Sequence, residues 1–255
     1  MLHEILHSKR EELAALRQRR LPAPPALRGV SLRREPGSAL RVIAEIKRRS
    51  PSAGALSTRL DVADRARAYE TGGAHLISVL CDSKYFDGAY EHMGLARSAT
   101  RLPILCKEFV IDESQLDAAR AYGADAVLLI VRCLAPARLA ALVKAAEERG
   151  LSPLVEVHGL AEVGVALDAG ASCIGVNARD LDTLKLDVVQ TRQVLEALPA
   201  GVCKVHLSGI RGEAQIAEVA RSAVDAALIG ECLMREDDPT ALLRRLLAAG
   251  SAQAG

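Results

Sequence analysis

The chain has 255 residues, half of them hydrophobic but only 2% aromatic, with no Trp. Its 33 Lys and Arg nearly balance its 32 Asp and Glu, for a formal charge of +1. That balance excludes the basic field that draws nucleic acid. No apolar run is long enough to span a membrane and no signal peptide opens the chain, so the expectation is a cytoplasmic protein without a membrane partner. The cysteines Cys81, Cys106, Cys133, Cys173, Cys203 and Cys232 stand singly, several inside apolar runs, and read as small core residues rather than ligands, so no metal is expected.

The first segment reads as a helix, with Leu2, Ile5, Leu6, Leu13 and Leu16 on one side. Lys9, Arg10, Arg17, Arg19 and Arg20 fall at helical spacing and read as a solvated face of it. A Pro- and Arg-rich stretch, LPAPPALRGVSLRREPGSALR, follows and reads as connector rather than core. Residues 1–41 are therefore expected to be a helical extension, and 42–250 the main body of a single domain, 1–255.

From Val42 short Val-, Ile- and Leu-rich runs recur at Val42–Ile46, Leu76–Leu80, Ile104–Cys106, Ala126–Val131, Pro153–Val157, Cys173–Val176, Val202–Val205 and Ala226–Ile229. Each is too short for a buried helix and reads as a buried parallel strand. Helical segments such as ESQLDAARAYG and APARLAALVKAAEERG lie between them. Eight alternations predict an α/β fold, a (β/α)8 barrel of the TIM type, with an N-terminal helical extension. The segments GGAHLISV, YGADAVLL, AGASCIGV and SAVDAALIG repeat about every 50 residues, two β/α units apart, which fits strands two, four, six and eight. A doubly wound open sheet is disfavoured because no G-x-G-x-x-G fingerprint is present.

Barrel enzymes work at the C-terminal ends of their strands. There the first run carries Glu45 and Lys47, two apart and so on one face, the third ends at Lys107, and the fifth holds Glu156 among hydrophobics. Asn177 ends the sixth run, with Arg179 just beyond. Two lysines and two glutamates in one mouth would compensate one another's burial and supply acid–base groups. Ser208-Gly209 closes the seventh run, and Gly230-Glu231 leads from the eighth into a helix, the places where barrels commonly cradle phosphate. KRRSPSAGALS (47–57) reads as a mobile lid after the first strand.

Together these residues resemble the indole-3-glycerol phosphate synthase family. The resemblance rests on IAEIKRRSPSAG (43–54), SVLCDSKYFDG (78–88), LPILCKEFVIDESQ (102–115), GADAVLLIVR (123–132), PLVEVH (153–158), IGVNARDLDTL (174–184), SGI (208–210) and LIGECLMR (228–235). It implies ring closure, decarboxylation and dehydration of 1-(2-carboxyphenylamino)-1-deoxyribulose 5-phosphate, a tryptophan-biosynthetic step needing no metal or organic cofactor. It further implies Lys107 as general acid and Glu156 as the carboxylate that stabilises cationic intermediates. Lys47 would bind a substrate anion and Glu45 would assist proton transfer, while Asn177 and Ser208 would contact the substrate. Lys47, Arg179, Gly209, Gly230 and the Glu231 backbone would hold phosphate, and Pro51, Phe86, Phe109, Leu128, Leu181 and Leu184 would wall the anthranilate ring. The partner is a small phosphosugar, and the expected state a monomer or weak homodimer. One position departs: Leu207 stands where the family usually has Glu, preceded by His206. That departure keeps open a divergent paralogue acting on a related anilino-sugar phosphate, with a non-catalytic phosphate-binding barrel as a remoter alternative.

Overall fold

A computed structural model describes residues 1–35 and 37–251; Pro36 in the connector and residues 252–255 of the expected domain lie outside the described residues. Eight strands close a barrel: β1 (Arg41–Ile46), β2 (Leu76–Leu80), β3 (Ile104–Lys107), β4 (Ala126–Ile130), β5 (Ser152–Val157), β6 (Cys173–Asn177), β7 (Cys203–Leu207) and β8 (Ala226–Ile229). Every neighbouring pair is parallel, and β8 returns to β1 through Arg41↔Ala226 to Ala44↔Ile229.

Alternation along the strands sorts their side chains into two layers. Val42, Ala44, Ile77, Val79, Val155 and Val176 pack outward beneath the helices. Ile43, Leu76, Leu105, Leu128, Leu154, Val205, Leu207 and Leu228 fill the barrel. With almost no aromatic bulk, this interior is built from branched aliphatics, which suits the layered filling of a narrow parallel barrel.

The expected strands are all present, β2 and β8 with the expected bounds and the others with shifted ends. β3 runs on to Lys107 and β6 to Asn177, so both polar residues are held by the sheet itself. β4 stops at Ile130, and Val131–Cys133 forms a tight 3-10 turn. β7 begins at Cys203 and continues through His206 to Leu207, two residues past the predicted end. His206 can compensate for a missing acid only if it faces the barrel. It is 7% exposed and pairs in register with the outward Ala227, so it lies under the helix layer.

The recurring segments before β2, β4 and β8 have a physical reason. His75 Nδ1 accepts from Val42 N at 3.2 Å, Asp125 from Ile104 N at 2.9 Å, and Asp225 from Lys204 N at 2.8 Å. Each side chain satisfies an N–H at the start of the preceding strand, a donor otherwise buried without a partner.

Both barrel ends are stoppered by the first forty residues. The connector crosses the lower end, where the Arg28 and Arg34 amides donate to Asp125 (2.6 Å) and Asp225 (2.8 Å). Leu32, 7% exposed, packs with Leu76, Leu105 and Leu154. The connector thus supplies core, contrary to its reading as linker; its prolines and arginines mask one plug residue. Helix α1 (Leu2–Gln18) lies at the upper end, with Leu2 and Ile5 buried. Four of the five basic residues expected on a solvated face are exposed, and Lys9 alone departs from that reading. Arg17 pairs with Asp112 and Arg19 with Glu91, whereas Lys9 is fully enclosed.

Candidate active site

The upper mouth of the barrel opens into one cavity, and every site residue expected from the sequence lines it. Sheet register brings them together. Glu45 rises from β1 with Lys47 just past its end, Lys107 from β3, Glu156 from β5 and Asn177 from β6, all at the tops of their strands. Below them Leu128, 1% exposed, forms part of the floor.

Two ion pairs line the mouth. Lys47 Nζ donates to Glu45 Oε1 at 2.6 Å, and Lys107 Nζ stands 3.6 Å from Glu156 Oε2. Both glutamates are almost fully buried, whereas the two lysine side chains keep 16% and 17% exposure. The carboxylates are thus desolvated and fixed, and the ammonium groups reach into the opening. Such an arrangement favours ammonium donors that can approach an incoming ligand with little rearrangement.

Glu156 is held from one side only. Asn177 Nδ2 donates to its Oε1 at 2.8 Å, while Oε2 is buried and makes no hydrogen bond. Asn177 Oδ1 accepts from Ser208 Oγ at 2.8 Å and from Arg179 N at 3.1 Å. A polar chain therefore runs Lys107–Glu156–Asn177–Ser208 around half the rim. Ser208 and Gly209 take φ of 68° and 87°, a sharp left-handed turn that folds the β7 loop over the mouth. The serine conformation costs about 1 kcal/mol and is sustained by its bond to Asn177.

Gly230 caps the short helix Glu231–Arg235, whose first amides have no partner within the helix. A Cβ at Gly230 would lie 2.5 Å from Glu45 Oε1, so this glycine is what lets the β1 carboxylate sit beside the β8 loop. The Glu231 side chain accepts from Arg235 at 3.0 Å and is turned to that partner, leaving its backbone for the cavity. Arg179 is partly engaged: its Nη1 donates to Leu184 O at 2.9 Å, bracing its own loop. Opposite the glycines, Phe86 and Phe109 stack at 6.1 Å with a 38° tilt, and Leu181 and Leu184 continue the apolar wall. Pro51 and Ser52 sit on a small antiparallel hairpin, Arg49–Ser50 against Gly54–Ala55, in the segment read as a lid.

Some lining residues were not foreseen. Met1 and Ile5 enter because α1 caps the mouth, and Arg211 adds a cation beside Ser208 and Gly209. Arg211 follows SGI directly, so its place after β7 was the available signal. Leu207 does face the barrel, 2% exposed, against Gly175 and Leu154. His206 faces away, and burial pushes its pKa down to about 4. It therefore cannot stand in for a carboxylate in the mouth.

A closed parallel barrel with lysine–carboxylate pairs at its carboxyl ends and glycine turns after its last two strands places the chain among the (β/α)8 barrel enzymes. Solved structures agree on the fold. A thiamine phosphate pyrophosphorylase from Pyrococcus furiosus superposes with a TM-score of 0.65 at 19% identity, over 86% of this chain and 99% of that one. A 3-hexulose-6-phosphate synthase from Salmonella typhimurium gives 0.67 at 12% identity, over 84% of this chain and 100% of that one.

Sequence comparison is more particular. The family model for indole-3-glycerol phosphate synthase matches residues 2–246. Indole-3-glycerol phosphate synthase 2 of Streptomyces coelicolor is 47% identical, covering 94% of this chain and 90% of that protein. The indole-3-glycerol phosphate synthases of Mycobacteroides abscessus and Mycolicibacterium smegmatis are 44% and 41% identical, covering 94% and 98% of this chain and 88% and 95% of theirs. The chain belongs to the indole-3-glycerol phosphate synthase family, carboxy-lyases of tryptophan biosynthesis.

Proposed function

We propose that this chain converts 1-(2-carboxyphenylamino)-1-deoxyribulose 5-phosphate into indole-3-glycerol phosphate, carbon dioxide and water. The observation that carries this reading is Lys107 Nζ facing the free Oε2 of Glu156 inside an apolar-walled mouth. The anthranilate ring lies against Phe86, Phe109, Leu181 and Leu184, and the phosphate meets the β7 and β8 glycine turns with Arg179, Arg211 and Lys47 nearby.

Lys107 donates its proton to the ketone oxygen as the ring carbon bearing the carboxylate attacks the carbonyl carbon. The new carbon–carbon bond leaves a cationic ring nitrogen system, which the buried Glu156 stabilises. Carbon dioxide departs with its bonding pair returning to the ring. The hydroxyl then leaves as water with a proton supplied by a mouth lysine, and Glu156 takes part in the proton removal that restores aromaticity. Lys47, fixed by Glu45, holds the substrate carboxylate or phosphate. Asn177 and Ser208 bond to the sugar hydroxyls and keep Glu156 oriented.

The same reading has one domain acting without a cofactor, as a monomer or weak homodimer in the cytoplasm; no described helix is long and apolar enough to cross a membrane. The apolar Leu207 favours one second reading, a related anilino-sugar phosphate as substrate. The experiment is an indole-fluorescence assay on wild type and Lys107→Ala. The expected result is a loss of kcat of at least about 100-fold, the scale of general acid catalysis. Robust turnover by the variant would refute the assigned acid, and wild-type binding without turnover would favour the second reading.

A further inference from the structure

At the edge of the catalytic mouth, which Glu108 also lines, α1 takes part in a second cluster of charges that the proposed chemistry does not use. Lys9 Nζ lies 2.7 Å from Asp82 Oδ2, 3.2 Å from Glu108 and 2.8 Å from Glu12. Lys9, Asp82 and Glu108 are 2%, 0% and 2% exposed. A buried ammonium between buried carboxylates is poor value as a stabiliser, because well-packed apolar groups often serve as well. Its use is specificity of arrangement, and the arrangement here is that of the pocket wall.

Asp82 follows β2, and its Oδ1 accepts from Tyr85 N at 2.6 Å, capping the turn that presents Phe86. Glu108 follows Lys107, and its Oε1 accepts from Phe109 N at 2.7 Å, setting the direction of the second ring. One ammonium thus joins the two loops whose rings meet at 6.1 Å. On the helix, Ile5 lies one turn before Lys9 on the same face, and Ile5 lines the cavity. The contact that fixes the aromatic loops also seats the helix over the mouth.

The charges agree with the geometry. Burial pushes the Glu108 carboxyl up to about 7, with Lys9 pulling it back and Asp82 adding to the rise. Burial alone would lower the Lys9 pKa, yet Glu108 and Asp82 hold it above its ordinary value. Without Lys9, two carboxylates would face each other in a dry site.

We propose that Lys9 is a positioning residue, a latch that holds the Phe86 and Phe109 loops and the N-terminal helix in the arrangement that receives the substrate ring. The proposal rests on the function given above for its ligand, but the latch itself can be read without turnover.

The test compares wild type, Lys9→Met and the double variant Lys9→Met/Glu108→Gln, which removes one of the two stranded carboxylates and leaves Asp82. The single variant is expected to lose Tm, which the double variant recovers in part, Asp82 remaining buried without its ammonium. In the double variant KM is expected to remain at least about 10-fold raised, with kcat falling less. Amide exchange at residues 85–87 and 109–110 is expected to rise by a similar factor, about 10-fold, while barrel-strand exchange stays unchanged. Wild-type KM and wild-type exchange in a stably folded double variant would overturn the latch. Wild-type protein that fails to turn the substrate over would sink the functional reading alone, since the exchange comparison would still decide the latch.

Discussion

Gly230→Ala separates chemistry from folding at a single atom. The added Cβ would sit 2.5 Å from Glu45 Oε1 and 3.2 Å from Glu45 Cβ and Cδ. Ordinary carbon–oxygen contact requires the carboxylate to withdraw by about 1 Å. Gly230 has a φ of −127°, so alanine meets no left-handed penalty there. The fold accommodates the change by turning the far end of one glutamate and easing the 3.2 Å contact with Glu45 Cβ by a few tenths of an ångström, at a cost of about 1 kcal/mol and a Tm shift of about 2–4 °C. The site does not escape so cheaply, because Glu45 Oε1 is the atom 2.6 Å from Lys47 Nζ. A displacement of about 1 Å at a catalytic group costs on the order of 100-fold in rate, about 3 kcal/mol of activation free energy. The assay is kcat and KM by indole fluorescence, with Tm measured on the same preparation. If the glycine served only to admit the phosphate, KM would rise and kcat would hold. A kcat within about twofold of wild type, at unchanged Tm, would refute the placing of Glu45 in the chemistry.

Two further outcomes follow from β7. Leu207→Glu puts a carboxylate among Gly175, Leu154 and Leu228, so Tm is expected to fall by the equivalent of a few kcal/mol; kcat is expected to change as well, and unchanged kcat and KM would remove this position from the site. His206 has its pKa pushed down to about 4 by burial, so between that value and the ordinary 6.5 the unfolded chain takes up a proton that the folded chain refuses. Its contribution is therefore intact above pH 6.5 and is lost as pH falls towards 4, amounting to about 3 kcal/mol at the acid end. His206→Leu should flatten the pH dependence of Tm over that window, and an unaltered acid slope would show that another group sets it.

The barrel was legible because its signal is repeated and local. Eight apolar runs of strand length, separated by helical periods, leave few other architectures. The charges at the strand ends were legible for the same reason: Lys107 and Glu156 each interrupt an apolar run, and alternation fixes the face on which each must lie. β7 shows where this logic weakens. Strand polarity alone cannot decide whether a histidine near a strand end faces the barrel or the helix layer. The pairing of His206 with Ala227 decides it, and that pairing depends on register between strands rather than on either strand's own sequence.

Lys9 shows the limit more sharply. On α1 it is one basic residue among several, at a spacing that a solvated helix face shares. Its partner Glu108 lies 99 residues away and itself follows a lysine already assigned to the mouth. Nothing within either segment marks the two as a pair; only the docking of the helix does. Leu32 is hidden in the same way, a single apolar residue in a Pro- and Arg-rich stretch that becomes core because arginines on either side tie the connector beneath the barrel. Residues that act through their own strand can be read from that strand, whereas those that act by joining segments need the assembled chain. The groups proposed to carry the chemistry of this barrel are of the first kind. The groups that close its two ends are of the second, so substitutions at α1 and the connector can alter the site without touching any motif that announces it.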